Sequence, residues 1–267
     1  MKLLTQGDDF GFTKGVTFGI IDAIEHGVLR NTGLFTNMPD AIMAAAYIRN
    51  NDRACFGIDF NIVSGKPVSD PKDIPDLVDA NGEFIRSGVR QKDSRWQSEE
   101  GRDEQFPYEQ VYHELKAQYE RFLSLVGKKP GYLHPHSIMP ENYIKAIREL
   151  SKETGIVFSM DKQKELGFKT PHDLDEVSPL SAKKVFDPMA QLNKDPLGKV
   201  QATHEYLEKA EYVMIGGHPG FVDGDLLGLT TLSLERVRDH QMMVSDWMKA
   251  WIKENNIELI TYYDLAK

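Results

Sequence analysis

The sequence has very little cysteine and no long apolar run. Its 267 residues include one cysteine, Cys55, so an intramolecular disulfide is excluded. The neighbouring Phe56 favours a packed, inert thiol over a catalytic one. No apolar stretch approaches the length of a membrane span, and the run in MKLLTQGDDF is too short for a signal peptide. We therefore expect a cytoplasmic protein that does not bind membranes.

Positive charge is also scarce. Lysine and arginine number 32 against 41 aspartate and glutamate residues, which gives a formal net charge of -9. This balance argues against a surface that binds nucleic acid or anionic lipid. It fits an enzyme that takes a neutral or cationic ligand, and it fits ordinary solubility equally well.

Short apolar runs alternate with helical patterns along the chain. Runs that predict strands lie at 2–5, 32–36, 55–63, 132–133, 156–159, 212–215 and 257–261. Parallel strands need crossovers that helices supply, so this order predicts one α/β domain over residues 1–267 with a parallel sheet. About seven such units favour an irregular (β/α) barrel resembling a TIM barrel, and a doubly wound open sheet is the alternative.

Two long stretches break the alternation. Residues 64–106 contain three prolines and the charged segment RQKDSRWQSEEGRDEQ, and residues 161–200 are again irregular in pattern. Long connections of this kind are usually lids, binding loops or disordered segments. We expect both loops to shape a ligand cleft. Trp96 could stack on a sugar ring or pin the first loop to the body of the protein, and pinning is favoured.

Polar side chains follow four of the predicted strands at their C-terminal ends, where catalysis takes place in such folds. These residues are Asp8 and Asp9, Asp59 and Asn61, His134 and His136, and His218. Two adjacent carboxylates repel each other unless a cation or a shared proton offsets the cost. The H-x-H spacing places both rings on one face of a strand, although the intervening proline makes this approximate. Each motif is weak alone, but their joint placement predicts a functional site.

The chemistry of this residue set is consistent with metal-assisted hydrolysis. A divalent cation with nitrogen and oxygen ligands polarises a carbonyl and acidifies water. One aspartate of the pair would bind the cation and the other would act as general base, while a histidine protonates the leaving group. A sugar-phosphate hydrolase is an alternative, although metal phosphoesterases usually hold more than the few histidines available here. A glycosidase, with two carboxyl groups flanking the scissile bond, is another.

Six segments together resemble one known family nearly from end to end. The segments DDFG, GIDFNI, VDANGEF, LHPHS, GGHPGFVD and LITYYDL resemble the YdjC-like carbohydrate deacetylases, which include chitooligosaccharide deacetylases. The resemblance implies an irregular (β/α) barrel similar in its organisation to the NodB-type deacetylases. It also implies a divalent cation, often assigned as magnesium, removal of acetyl groups from N-acetylated sugars or oligosaccharides, and a homodimer.

Four residues match the functional positions of that family. The resemblance implies that Asp9 and His136 bind the metal ion, that Asp8 is the base, and that His218 is the acid or an oxyanion stabiliser.

Two positions depart from the family pattern. Asp59 stands where the family usually has a metal-binding histidine, and His134 stands where it usually has an aspartate. If the two side chains are adjacent, this exchange preserves a ligand set of Asp9, Asp59 and His136, with His134 as an orienting residue or additional ligand. The site would then be harder and suited to magnesium or manganese. The alternative is a non-catalytic carbohydrate-binding relative with a decayed metal site. Asn61 and Trp96 are candidate substrate contacts.

Overall fold

The computed structural model describes residues 1–175 and 186–266, and within them one seven-stranded parallel sheet forms the centre of the fold. The strands are β1 (Lys2–Phe10), β2 (Asn31–Leu34), β3 (Cys55–Phe60), β4 (Tyr132–Pro135), β5 (Val157–Phe158), β6 (Tyr212–Gly217) and β7 (Glu258–Ile260). Their order is β5-β4-β3-β2-β1-β6, and β7 pairs with β1. The seven predicted strands are confirmed, but β1 continues beyond the predicted 2–5 to Phe10 and so contains Asp8 and Asp9.

The long strand β1 is the centre of the sheet. Its first residues pair with β7, its later residues pair with β2, and its other edge pairs with β6. Among the described residues β5 and β6 do not pair with each other, so the sheet curls around an interior without closing. This architecture confirms the predicted irregular barrel.

Helices connect and cover the strands. They are α1 (Lys14–Glu25), α2 (Ala41–Arg49), α3 (Ser87–Arg90), α4 (Glu99–Glu104), α5 (Tyr108–Val126), α6 (Glu141–Thr154), α7 (Ser159–Leu166), α8 (Pro188–Leu192), α9 (Pro196–Leu207), α10 (Gly224–Leu229), α11 (Arg236–Val244), α12 (Asp246–Glu254) and α13 (Tyr262–Leu265), with a 3-10 helix at Ser94–Gln97. The sequence of α5 shows why a helix forms there. Apolar residues at helical spacing, among them Val111, Leu115 and Phe122, are buried, and Gly127 caps the end of the helix in the left-handed conformation (φ 77°). None of the helices in the two described segments is both long and apolar enough to cross a membrane.

Buried side chains divide between the two faces of the sheet. The larger cluster lies between the outer face and the helices and includes Phe10, Ile20 and Phe56. A smaller cluster fills the inside of the curl and includes Cys55 and Tyr132. Burial raises the pKa of Cys55 to about 12, so the predicted packed thiol is confirmed.

Three predictions about local structure are wrong. The stretches 64–106 and 161–200 are not wholly irregular, because short capped helices interrupt both; residues 176–185 lie outside the described residues. The spacing of the apolar residues Val237, Val244, Trp247, Met248 and Trp251 predicts one long helix, but the structure has two helices there, α11 and α12. Ser245 breaks it, because its extended backbone (ψ 143°) cannot continue a helix and its hydroxyl accepts a hydrogen bond from Met248 N at the start of α12.

Candidate active site

The end of β1 presents its two aspartates in different environments. The pairing of β1 with β2 is irregular between Gly7 and Phe10, and Asp9 has a positive φ of 74°. An irregularity of this kind re-aims the side chains that follow it. The Asp8 side chain remains 18% exposed, whereas the Asp9 side chain is fully buried. One carboxylate of the pair is therefore open to solvent and the other belongs to the interior.

Asp9 is the most heavily contacted acidic residue of the site. Its backbone N–H donates to Asp59 Oδ2 (2.8 Å), and its Oδ2 accepts from Arg236 Nη2 (2.5 Å). Its Oδ1 lies 2.9 Å from His136 Nδ1. Burial acts to raise the pKa of Asp9, but the neighbouring His136 and Arg236 outweigh it and lower that pKa. Asp9 is therefore a buried carboxylate.

Asp59 and His134 lie side by side, as the exchange hypothesis requires. The register of β3 and β4 pairs them directly. The Asp59 carboxyl occupies the space that a side chain on Gly33 would fill, which explains why β2 has glycine there. Its Oδ1 is buried and has no hydrogen-bond partner among the described residues. Burial, and then the charges of Asp8 and Asp9, raise the pKa of Asp59 well above its usual range.

The two histidines of LHPHS contact different aspartates. His134 Nε2 lies 3.8 Å from Asp8 Oδ2, and its Nδ1 forms a 2.7 Å hydrogen bond with Ser159 Oγ. Burial lowers the pKa of His134 and favours the neutral ring. His136 follows the end of β4, where it faces Asp9 and packs edge-on against Phe35 with ring centres 4.7 Å apart. The two histidines of the H-x-H motif therefore lie beside different members of the aspartate pair.

His218 follows β6, and its loop is held against the start of α1. Its backbone N–H donates to Asp239 Oδ2 (2.8 Å). A Cβ on Gly19 would lie 2.5 Å from the Cα of Gly220, so glycine is needed for this close approach. Asp223 Oδ2 accepts from the backbone N–H of residue 15, which ties the GGHPGFVD and DDFGFTKG segments together. These two segments, which are far apart in sequence, are therefore neighbours in the structure.

Asp8, His134 and His218 line one cleft of about 600 Å³. Gln6, residues of β6 and α11, and residues on both sides of the undescribed stretch 176–185, at 170–175 and 194–200, also line it. A larger cavity of about 820 Å³ lies beside residues 64–66 and α10, but the three polar residues named above are not among its described lining. The smaller cleft is the candidate active site because Asp8, His134 and His218 line it together.

Asp9 contacts both of the other predicted metal ligands, Asp59 and His136. Asp9 Oδ1 and Asp59 Oδ1 are buried oxygens without hydrogen-bond partners among the described residues, and His136 Nδ1 adjoins the first of them. Carboxylate oxygens with one imidazole nitrogen suit a hard divalent cation. Within the described ranges, however, no three His, Cys, Asp or Glu side chains already surround one point. The donor types fit a cation, which would have to draw the side chains together.

Asn61 and Trp96, the two predicted substrate contacts, do not line the cleft. Asn61 is fully buried, its amide donates to Ser64 O, and its Oδ1 accepts from Val63 N and Ser64 N. Trp96 packs, partly buried, against the hydrophobic core. Neither is among the described residues that line the cleft. Their positions support structural roles, and for Trp96 this is the favoured pinning of the loop.

Four residues of the site were not predicted from the sequence. Arg236 and Asp239 come from α11, where their spacing resembles that of ordinary surface charges. Gln6 lies within β1, and Tyr262 begins α13. Gln6 did have a signal in the sequence, because it is a polar residue inside an apolar strand and lies two positions before the aspartate pair. Arg236, Asp239 and Tyr262 reach the site only because the chain folds, so no local sequence pattern marks them.

Comparison with known proteins gives consistent results over the whole chain. The profile described as "YdjC-like protein" matches residues 2–254. Carbohydrate deacetylase 2 of Listeria innocua serovar 6a is 31% identical over 100% of both chains. A chitooligosaccharide deacetylase of Klebsiella pneumoniae strain 342 is 28% identical over 98% of both.

A solved structure from Enterococcus faecalis V583 has a similar fold. It is described as a candidate cellobiose-phosphate cleavage protein, with a TM-score of 0.72 and 23% identity over 100% of this chain and 99% of that one. At this identity the similarity establishes the fold alone.

Proposed function

Because the chain belongs to the YdjC-like protein family, we propose that it is a carbohydrate deacetylase acting on N-acetylated sugars or oligosaccharides. The observation that carries the proposal is that Asp8, His134 and His218 line one cleft. Hydrolysis of an acetamide needs a base for water and an acid for the departing nitrogen. Carboxylate and imidazole groups on one cleft can supply both.

Asp8 is the proposed base and His218 the proposed acid. Asp8 takes a proton from the water that attacks the acetyl carbon, and the carbon–nitrogen bond then breaks as His218 protonates the nitrogen. The products are acetate and a free amino sugar. His134, 3.8 Å from Asp8 Oδ2 and bonded to Ser159, limits the movement of the base.

Asp9, Asp59 and His136 would hold a divalent cation, which we propose to be Mg²⁺. When bound, it would polarise the acetyl carbonyl group and lower the pKa of a water molecule. Arg236 keeps one oxygen of Asp9 occupied, so Oδ1 is the oxygen left for the cation. Asp59 would contribute its unpartnered Oδ1 from the neighbouring strand.

Acetate release tests this function directly. The purified protein is incubated with N-acetylated chitooligosaccharides in Mg²⁺, in Mn²⁺ and in chelator, and acetate is quantified. We expect release with a cation, loss in chelator, and a fall in kcat of about 100-fold or more in Asp8→Asn, the usual scale of general base catalysis. Lack of acetate under every metal would refute the proposal.

The same incubations distinguish the alternatives. A glycosidase would release new reducing ends and tolerate chelator, and a sugar-phosphate hydrolase would release inorganic phosphate. A non-catalytic relative would bind the oligosaccharide in calorimetry without turnover, and Asp8→Asn would leave that binding intact.

The assembly and location of the protein are separate proposals. The family resemblance favours a homodimer, and we separately propose a cytoplasmic location. Light scattering coupled to gel filtration would give twice the 30.3 kDa chain mass for a dimer. A single-chain mass at all concentrations would contradict it, and fractionation of cells that express the protein tests its location.

A further inference from the structure

A buried chain of hydrogen bonds ends on Asp8. Gln163 Nε2 donates to the hydroxyl of Tyr262 (2.6 Å), and this hydroxyl donates to Gln6 Oε1 (2.6 Å). Gln6 Nε2 then donates to Asp8 Oδ1 (2.8 Å). The chain joins α7, α13 and β1, which are far apart in sequence, and it reaches the aspartate that lines the cleft.

The direction of each donor is determined by its neighbours. Burial raises the pKa of Tyr262, so the phenol keeps its proton and has one hydrogen to donate. That hydrogen points to Gln6 Oε1, because Gln163 donates to the phenol oxygen from the other side. The Gln6 amide must then turn its nitrogen towards Asp8. An amide nitrogen is only a donor, so Asp8 Oδ1 is always an acceptor here.

The start of the chain is itself rigidly held. The backbone N–H of Tyr262 donates to Asn31 Oδ1 (3.0 Å), and the Asn31 amide nitrogen donates to Thr5 O (3.0 Å) on β1. The ring of Tyr262 packs against Tyr132 with centres 4.2 Å apart. Gln6 is 2% exposed and Tyr262 is fully buried, so water does not compete for these bonds.

From this arrangement we infer that Gln6 and Tyr262 are positioning residues that fix the carboxylate of the catalytic base Asp8. The inference rests on the proposed function, in which Asp8 accepts the proton of water. With Oδ1 held by Gln6, Oδ2 is the oxygen beside His134 and is the one free to contact water in the cleft. A base that rotates freely spends less time in the reactive orientation, which lowers kcat more than substrate binding.

Two variants remove single links of the chain. Tyr262→Phe deletes the hydroxyl and keeps the ring, and Gln6→Met keeps the approximate volume and deletes the amide. We expect kcat for acetate release to fall about tenfold in each, with KM within about twofold of wild type. The matched control is Tyr132→Phe, because its buried hydroxyl has no hydrogen-bond partner among the described residues. This control should keep the wild-type kcat.

A double variant separates positioning from general destabilisation. The inference requires Tyr262 to act on Asp8 through Gln6, so Tyr262→Phe should add little to the loss already present in Gln6→Met. If the loss of kcat in the double variant equals the product of the two single losses, the inference is overturned, because independent structural damage combines in that way.

The outcomes also separate this inference from the proposed function. If wild-type protein releases no acetate, both are overturned. If it does and Tyr262→Phe retains the wild-type kcat, only the positioning role is overturned. Should the buried variants fail to fold, Gln163→Met removes the first link at a half-buried site on α7. It should lower kcat about threefold at unchanged KM, and an unchanged kcat would again overturn the inference.

Discussion

Replacement of Arg236 by methionine should destabilise the protein strongly, because it leaves the charge of Asp9 buried without its main partner. The side chains of Arg236 and Asp9 are 2% and 0% exposed, and the bond between them is 2.5 Å long. Methionine fills much of the arginine volume, so the change tests the charge more than the packing.

The expected cost follows from the burial of this pair. Removal of one partner of a buried ion pair costs about 3–5 kcal/mol, since the remaining charge cannot reach water. The second contact of Arg236, with the ring of Phe12 at 5.6 Å, adds about 0.5–1 kcal/mol. His136 lies 2.9 Å from Asp9 and relieves part of the cost. We therefore expect a loss of about 3–4 kcal/mol in the free energy of unfolding.

Urea unfolding followed by tryptophan fluorescence, at neutral pH and in chelator, measures this loss. The matched control is Arg238→Met on the same helix, whose guanidinium is half-buried and bonds Leu192 O and Gln241. It should cost less than about 1 kcal/mol. The double variant Asp9→Asn/Arg236→Met should be more stable than Arg236→Met, because neither side chain then carries an unpaired charge. Equal costs for Arg236→Met and Arg238→Met would refute the reasoning.

Three further predictions concern the scaffold around the site. Gly19→Ala should cost about 1–3 kcal/mol in urea unfolding and lower kcat, because its Cβ would push on Gly220 in the loop that carries His218. Glu114→Ala should cost about 2–3 kcal/mol and make residues 64–69 sensitive to protease, since the buried Glu114 carboxylate accepts the backbone N–H groups of residues 68 and 69. Because burial raises its pKa to about 12, Cys55 stays a neutral, shielded thiol at pH 8; thiol reagents should label it only in denaturant, and fast native labelling would contradict this.

The strands and their polar ends could be predicted because each depends on local pattern. Apolar runs marked β1 to β7, and the rule that parallel strands end at one rim led us to expect Asp8 and His218 at one site, where both line the same cleft. Short helices were missed because few apolar residues repeat in them. The two Asp-Pro pairs before α8 and α9 were available signals, since Asp187 and Asp195 cap helices that begin with proline.

The partners of the site residues could not be predicted, because packing between distant elements determines them. Arg236 reaches Asp9 across 227 positions of sequence, and Tyr262 reaches Gln6 across 256. Nothing in the local pattern of α11 or α13 distinguishes these side chains from surface residues. The break between α11 and α12 also could not be predicted from the local pattern. The helical spacing of apolar residues continues past Ser245, whereas the backbone at Ser245 is extended.

The central claim is that Asp9, Asp59 and His136 meet around one cation beneath the cleft that Asp8 lines. Crystals soaked in Mn²⁺ and measured near the manganese absorption edge test this most directly. The account predicts a single anomalous peak within bonding distance of all three side chains, lost in Asp59→Ala crystals. A peak elsewhere, or none at a Mn²⁺ concentration that supports acetate release, would contradict it.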